Sequence, residues 1–233
     1  AGGAFSPIGV QAAQAARSLP EDAARPQFFR GVATVVDKLF RKSKAELAYF
    51  GQKDHVQCVV VRHLAGLVGA GVPGTGPRVV VCPTAREHDG LAMSSRNVYL
   101  TPEERPRSLV VSRALGAGRA CLAAAMARRA GGADGERPRQ QPADPSCDAD
   151  ASPPSLRSLA ERARDAVRSC LLEEPAVREV EYVSVCSLEA GRELGGGAGT
   201  EPPGGEDGRL AGGLVISTAI KLGSVRLIDN VVM

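Results

Sequence analysis

The stretch from Leu47 to Leu67 constrains the fold most, because it predicts a strand that runs directly into a helix. Leu47 to Phe50 is short, apolar and partly aromatic, which is typical of a buried strand. Gly51 then allows a sharp change of direction where the chain leaves the sheet. A strand followed by a crossover helix predicts an α/β fold with a parallel sheet, and such sheets bind ligands at the strand-to-helix turn. The apolar residues that recur at helical spacing after the turn are Val56, Val59, Val60, Leu64 and Leu67.

Three polar residues at the start of this helix are candidates for contact with a ligand. Free backbone N–H groups at a helix start attract anions, and Lys53 adds a mobile positive charge there. Asp54 and Gln57 lie three residues apart, so both can face the same ligand from the first helical turn. An ordinary strand-to-helix connection, whose lysine and aspartate face water, explains these residues equally well.

A second stretch, Asp89 to Asn97, favours the ligand-binding interpretation. It holds two adjacent hydroxyl groups, on Ser94 and Ser95, followed by Arg96, in a loop after an apolar strand at Arg78 to Cys82. Hydroxyl groups and a guanidinium fork together suit phosphate oxygens. The two stretches therefore predict a site that holds a phosphorylated ligand from two sides.

Together, the two stretches resemble the pantoate–β-alanine ligase family. Phe50-Gly51-Gln52-Lys53-Asp54 and Gly90-Leu91-Ala92-Met93-Ser94-Ser95-Arg96-Asn97 are similar to two nucleotide-binding signatures of that family. The Met-Ser-Ser-Arg piece also resembles the mobile Lys-Met-Ser-Lys-Ser loop of nucleotidyltransferases and class I synthetases. The closing Arg226-Leu227-Ile228-Asp229-Asn230 resembles the end of the same family, so the resemblance extends from about Arg25 to Val231.

The resemblance implies an ATP-dependent ligation in two steps. The carboxylate of pantoate reacts with ATP to give pantoyl adenylate and pyrophosphate, and the amine of β-alanine then displaces AMP. By resemblance, Lys53, Ser94 and Arg96 are catalytic, because they stabilise negative charge on the phosphates. Mg²⁺ accompanies ATP, bridges its phosphates and needs few dedicated ligands from the protein. The resemblance assigns Gly51, Gln52, Lys53, Asp54, Ala85, Met93, Ser94, Ser95 and Arg96 to ATP, and Gln57, Val32, Val35, Val36 and Phe50 to pantoate.

One signature of the family is missing from these 233 residues. The family has a His-x-Gly-His turn that binds the ATP phosphates, whereas none of His55, His63 and His88 is followed by Gly-His. The chain also begins without Met. We therefore expect an N-terminally truncated member that does not catalyse the ligation by itself. Two alternatives stay open: a non-catalytic remnant that binds nucleotide or dimerises, and another nucleotidyltransferase whose partner segment is separate.

The pattern of helices and strands predicts two domains. Residues 1–84 are expected to be the remnant of a Rossmann-like nucleotidyltransferase domain with a parallel sheet, and residues 85–233 a small α+β domain with an antiparallel sheet. By resemblance the second domain acts as a lid. Stretches without apolar periodicity at about residues 127–154 and 191–212 are expected to be disordered insertions. A helix is predicted at Gly31–Phe40, with one apolar face formed by Val32, Val35, Val36, Leu39 and Phe40. Two more helices are predicted, one starting at a capping box of Thr101 and Glu104 and one capped by Ser155. The later strands are predicted at Val177–Leu188, Leu214–Lys221 and Ser224–Val231, the last two as a hairpin that turns near Gly223.

The charge balance does not indicate a nucleic-acid or membrane surface. The net charge is +3, from 29 basic and 26 acidic residues, and no apolar run approaches the length of a membrane span. The six cysteines form no Cys-x-x-Cys pair and have no zinc-ligand spacing, so we expect free thiols in a reducing compartment. We expect a cytoplasmic protein, and the family resemblance implies a homodimer.

Overall fold

The computed structural model describes residues 4–25, 27–69, 76–131, 155–194 and 213–233. Short 3₁₀ turns occur at Gln14–Ala16, Gln52–Asp54 and Ser95–Tyr99. The longer elements in these ranges are, in chain order, α1 (Pro7–Ala13), α2 (Pro20–Ala24), α3 (Phe28–Ser43), β1 (Leu47–Gly51), α4 (His55–Gly69), β2 (Arg78–Cys82), α5 (Glu104–Arg107), α6 (Val110–Gly131), α7 (Leu156–Leu172), β3 (Val177–Ser187), β4 (Leu214–Leu222) and β5 (Val225–Val232).

The first half of the described chain contains the predicted parallel strand pair. β1 and β2 run parallel in register, with Leu47 opposite Arg78 and Gly51 opposite Cys82. Helix α4 connects them and buries Val60 and Leu64 in a core that it shares with α1 and α3. The predicted order of strand, turn, helix and strand is therefore confirmed.

Two expectations about burial in this region are wrong. β1 is not a buried strand: Ala48 and Phe50 pack on the core, but Tyr49 on the opposite face is 64% exposed. Within the described residues β1 pairs only with β2, and one face of this pair is covered by helices. The apolar face of α3 is also narrower than predicted, because Val36 is buried while Val35 is 58% exposed.

The second half of the described chain forms a three-stranded antiparallel sheet. The strand order is β3-β4-β5, and the predicted hairpin from β4 to β5 turns at Gly223, whose φ of 57° favours glycine. Helices α6 and α7 pack on the sheet, and Leu122, Val167 and Ile216 lie in the shared core. The predicted fold class, a parallel sheet with helices followed by a small unit with an antiparallel sheet, is thus confirmed.

Local sequence signals define the helix starts of this second half. The Thr101 hydroxyl accepts from the Glu104 N–H at 3.2 Å, and the Glu104 carboxylate accepts from the Thr101 N–H at 3.1 Å. This reciprocal pair is the predicted capping box. The helix breaks after one turn, since α5 ends at Arg107 just after Pro106. Ser155 caps α7 as predicted, by accepting from the Ser158 N–H at 3.2 Å.

The segment that contains α5 and α6 is more apolar than the sequence pattern led us to expect. By length and composition, Glu104–Arg128 is long and apolar enough to cross a membrane, and 39% of its apolar window is buried in the fold. The buried part includes Val110, Leu115 and Leu122, which belong to the core shared with α7 and the antiparallel sheet.

The predicted insertions fall largely outside the described residues. α6 continues to Gly131, so the first part of the stretch 127–154 is helical, and residues 132–154 lie outside the described ranges. In the second stretch Glu193 forms an isolated antiparallel β-bridge with Cys186 of β3. Residues 195–212 lie outside the described ranges. Cys147 lies among residues 132–154, outside the described ranges. The described cysteines are free thiols: Cys58, Cys82, Cys121, Cys170 and Cys186.

Candidate functional site

The predicted ligand-binding turn lies between β1 and α4. Gly51 has an ordinary extended conformation, with φ −78° and ψ 132°, so the expectation that this glycine makes the sharp bend is wrong. The 3₁₀ turn Gln52–Asp54 changes the chain direction instead. A methyl group on Gly51 would meet no atom within 4 Å, so the space beside it is open to a ligand.

Lys53 lies in the wall of a cavity of about 180 Å³ between this turn and the antiparallel sheet. Its side chain is 16% exposed, and its ammonium lies 3.7 Å from the Asp54 carboxylate. A largely buried lysine at the start of a helix is well placed to attract an anion. The cavity is lined by Glu21, Arg25, Phe28, Phe29, Lys53, Asp54, His55, Val56, Gln57, Arg96, Tyr182, Ser217, Ile228, Asp229 and Asn230.

The segment with Ser94 and Arg96 meets the Lys53 turn at this cavity. Arg96 lines the cavity together with Lys53. An adjoining crevice of about 10 Å³ is lined by Lys53, Ser94 and Arg96, among others. The structure thus brings the two sequence motifs together, although about 40 residues of chain separate Lys53 from Ser94.

Hydrogen bonds fix the loop that leads to Ser94. The Met93 N–H donates to the Ala85 carbonyl at 2.9 Å, which closes the loop at its base. Arg105 binds Glu87 and Asp89 at 2.7 and 2.8 Å, and its hydrogen bonds hold the pKa of both carboxyl groups below their usual ranges. The loop is therefore anchored while Met93 at its end is exposed.

The predicted site residues divide into two groups. Lys53, Asp54, Gln57 and Arg96 line the cavity, and Ser94 lines the crevice. The remaining predicted residues do not line either space: Gly51, Gln52, Ala85, Met93 and Ser95 of the ATP set, and Val32, Val35, Val36 and Phe50 of the pantoate set. Their roles stay predictions.

Several cavity residues were not predicted from the sequence. Arg25 and Phe28 line the cavity, and the Arg25 guanidinium carbon lies 3.5 Å from the centre of the Phe28 ring. Tyr182 and Ser217 reach it from the antiparallel sheet. Asp229 and Asn230 belong to a closing motif whose resemblance to the family gave them no role. No sequence pattern identifies Arg25, Tyr182 or Ser217 as a site residue, because these residues approach the Lys53 turn only through tertiary packing.

His55 cannot serve as a cation in this site near neutral pH. It is 3% exposed, and its ring nitrogens lie 3.3 Å from the Gln52 amide nitrogen and 3.5 Å from the Cys186 sulfur. Burial, and then the positive charge of Arg62, lower the pKa of His55 to about 4. The positive charge that faces the cavity therefore comes from Arg25, Lys53 and Arg96 among the described residues.

Comparison with known proteins assigns the chain to a family. It matches the sequence profile described as Pantoate-beta-alanine ligase over residues 5–232. It is 38% identical over 213 residues to a pantothenate synthetase of Roseiflexus sp., covering 91% of this chain and 59% of that protein. It is 40% identical over 216 residues to a pantothenate synthetase of Chloroflexus aggregans, covering 93% of this chain and 60% of that protein.

A solved structure agrees with these sequence matches. The fold is similar to the crystal structure of pantothenate synthetase from Thermus thermophilus, with a TM-score of 0.61 and 32% identity. That match covers 94% of this chain and 60% of the other chain. The chain thus spans 59 to 60% of the length of these relatives.

Proposed function

The chain belongs to the pantoate–β-alanine ligase family, and on that premise we propose that its site serves the ATP-dependent condensation of pantoate with β-alanine. The observation that carries the proposal is the cavity that Lys53 shares with Arg96. These two cations come from separate segments and face one space. Such an arrangement suits a polyphosphate that must be held while negative charge moves along it.

The proposed reaction has two steps. The carboxylate of pantoate attacks the α-phosphorus of ATP, so that a new carboxyl–phosphate bond forms and pyrophosphate leaves. The amine of β-alanine then attacks the activated carbonyl, and AMP departs with the bonding electrons. Both steps place negative charge on phosphate oxygens, and fixed cations lower the barrier by stabilising that charge.

Each predicted residue has a role in this proposal. Lys53 neutralises the α- or β-phosphate during the attack, while Ser94 and Arg96 hold the departing pyrophosphate. Asp54 and the open side of Gly51 receive the ribose hydroxyl groups. For the remaining residues, the backbone around Gln52, Ala85, Met93 and Ser95 holds the rest of the nucleotide, Gln57 bonds pantoate, and Phe50, Val32, Val35 and Val36 form its apolar wall.

We propose that Mg²⁺ enters the site on the ATP phosphates. No group of three or more His, Cys, Asp or Glu side chains within the described ranges is close enough to hold a metal ion. A magnesium ion bound by phosphate oxygens and water needs few protein ligands, so this donor set is compatible with it. The ion supplies charge neutralisation on the phosphates.

The size of the cavity bears on what it holds. At about 180 Å³ it is smaller than the roughly 300–1,000 Å³ that is typical of pockets for drug-sized ligands. We therefore propose that these residues hold the reacting ends of the substrates, and that the chain alone does not complete the ligation. The further proposals are a lid role for residues 85–233 against residues 1–84, a cytoplasmic location and a homodimer.

A second candidate is a non-catalytic protein of the same family that binds nucleotide or dimerises. The lack of a His-x-Gly-His turn in these 233 residues favours it, and His55 does not replace that turn, because its ring is buried and engaged by Gln52 and Cys186. The 233-residue chain is expected to give no measurable ligation. A clear signal from this chain would contradict that expectation.

The experiment is to measure AMP formation from ATP, pantoate and β-alanine with Lys53→Ala in the full-length protein. We expect a loss of about 10²- to 10³-fold in rate, because a charge-stabilising group is removed. Lys38→Ala is the matched control, since Lys38 is exposed on α3 and does not line the cavity. Near-normal turnover in Lys53→Ala would remove Lys53 from the mechanism.

A further inference from the structure

We propose that Asn230 is a positioning residue that fixes the backbone of Lys53 for phosphate binding, and that the adjacent Asp229 does the same for the loop leading to Ser94. The inference deepens the proposed function and rests on it. It gives a role to two residues of the closing Arg226-Leu227-Ile228-Asp229-Asn230 motif, to which neither the resemblance nor the proposed chemistry assigns one.

The side chain of Asn230 binds two consecutive carbonyl groups of the Lys53 turn. Its Nδ2 donates to the carbonyl oxygens of Gln52 and Lys53, both at 2.9 Å, and its Oδ1 accepts from the Gln52 side-chain amide at 3.3 Å. Carbonyl oxygens only accept, so the NH₂ end of Asn230 must face them. Asn230 is 3% exposed, which means that water cannot readily replace these bonds.

This contact ties Lys53 to a distant part of the chain. Asn230 lies on β5, 177 residues after Lys53, and β5 is paired along its length with the buried strand β4. A lysine side chain is flexible, so the position of its ammonium depends on how firmly its backbone is held. The antiparallel sheet thus supplies a rigid support for a turn whose own two-stranded sheet is half covered.

Asp229, the neighbour of Asn230 on β5, makes a corresponding contact with the second motif. Its carboxylate accepts two bonds from the Arg86 guanidinium, at 2.7 and 3.1 Å. Arg86 also donates to the Gly90 carbonyl at 3.0 Å, within the loop that leads to Ser94. Two consecutive residues therefore hold the two phosphate-binding motifs at a fixed separation.

The first test measures amide hydrogen exchange of the 233-residue chain. Asn230→Ala removes the two donated bonds, and Asn230→Leu removes the donor while approximately keeping the size of the side chain and adding no buried charge. We expect faster exchange in residues 52–57 in both variants, including Asn230→Leu should Asn230→Ala fold poorly. The matched control is Thr218→Val, which removes a buried hydrogen bond of the same sheet, from the Thr218 hydroxyl to the Tyr182 carbonyl, without touching the turn. If the amides of residues 52–57 exchange no faster in the Asn230 variants than in Thr218→Val, the proposal is overturned.

The second test is a double-mutant cycle on AMP formation in the full-length protein. Asn230→Ala alone should lower kcat/KM by about 10- to 100-fold, because a small displacement of a catalytic group is costly. In the Lys53→Ala background the same change should lower kcat/KM by less than about 2-fold, since its effect passes through Lys53. Equal losses in both backgrounds would indicate a merely structural role and overturn the inference.

The cycle also separates failure of the inference from failure of the proposed function. Absence of AMP formation by the unsubstituted protein would contradict the proposed function itself, whereas normal activity of Lys53→Ala would remove Lys53, and with it the positioning role of Asn230, from the mechanism. A large loss in Lys53→Ala with normal activity in Asn230→Ala would leave the proposed function intact and overturn the positioning role.

Discussion

The antiparallel and parallel parts of the molecule differ in how completely they are packed. In the antiparallel sheet the central strand β4 is buried over most of its length, and α6 and α7 complete a continuous core. In the parallel pair, β1 alternates between packed residues and exposed ones such as Tyr49. Parallel sheets are normally covered on both faces, so the described residues of this pair form an unusually open sheet.

The difference teaches where the site obtains its rigidity. Lys53 follows the open sheet directly, yet Asn230 from the well-packed sheet binds its backbone. Lys53 therefore belongs to the less covered region, while its backbone is bound by the more completely packed one. Substitutions and changes of pH can test this contrast, beginning with the largest expected effect.

Truncation of a core side chain should cost far more in the antiparallel region than in the parallel pair. Ile216→Ala removes a fully buried side chain from the first, and we expect a loss of about 2–5 kcal/mol in the free energy of unfolding. Val79→Ala, at a half-buried position in β2, should cost about 1 kcal/mol or less. Urea denaturation measures both, and equal losses would contradict the contrast in packing.

Acid should weaken the contact between the two regions at His55. The unfolded chain protonates this residue near its ordinary pKa of 6.5, whereas the folded protein does so only near 4. The unfolded state binds more protons between these values, so the stability falls as the pH decreases from 6.5 to 4. The difference corresponds to about 3 kcal/mol once both states are protonated.

Urea denaturation at several pH values between 6.5 and 4 measures this loss in the free energy of unfolding. His55→Gln should abolish the loss, because glutamine does not titrate there. His63→Gln, at an exposed position on the same helix, is the control and should retain it. An unchanged pH dependence in His55→Gln would show that the buried ring is not its source.

Substitution of exposed apolar side chains should have the smallest effect. Tyr49→Ser on the open face of β1 and Val35→Ser on α3 replace such side chains, and we expect changes within about 0.5 kcal/mol in the free energy of unfolding. Urea denaturation of the 233-residue chain measures them. A loss above about 1 kcal/mol would show that another surface covers this face in solution, which would narrow the contrast between the two regions.

The sequence predicted local features better than tertiary ones. The capping pair of Thr101 and Glu104 depends on residues three apart, and the turn at Gly223 depends on one backbone conformation, so both could be read from short stretches. The apolar pattern of α3 could not show that Val35 lies outside the buried stripe, because exposure depends on which elements pack against the helix.

The site shows the same division. Lys53, Ser94 and Arg96 have chemistry that a short motif reveals, and the structure brings them to adjoining spaces. The opposite wall of the cavity, with Arg25, Tyr182 and other residues, comes from segments that are distant in sequence and have no local pattern. Gly51 suggested a sharp bend, but the 3₁₀ turn after it changes the chain direction.

The most direct test of the central claim is a crystal structure of the protein with a non-hydrolysable ATP analogue. We predict that the phosphates lie between the Lys53 ammonium and the Ser94–Arg96 segment, each within hydrogen-bond distance of a phosphate oxygen. Phosphates bound elsewhere, with contacts to neither Lys53 nor Arg96, would contradict this claim.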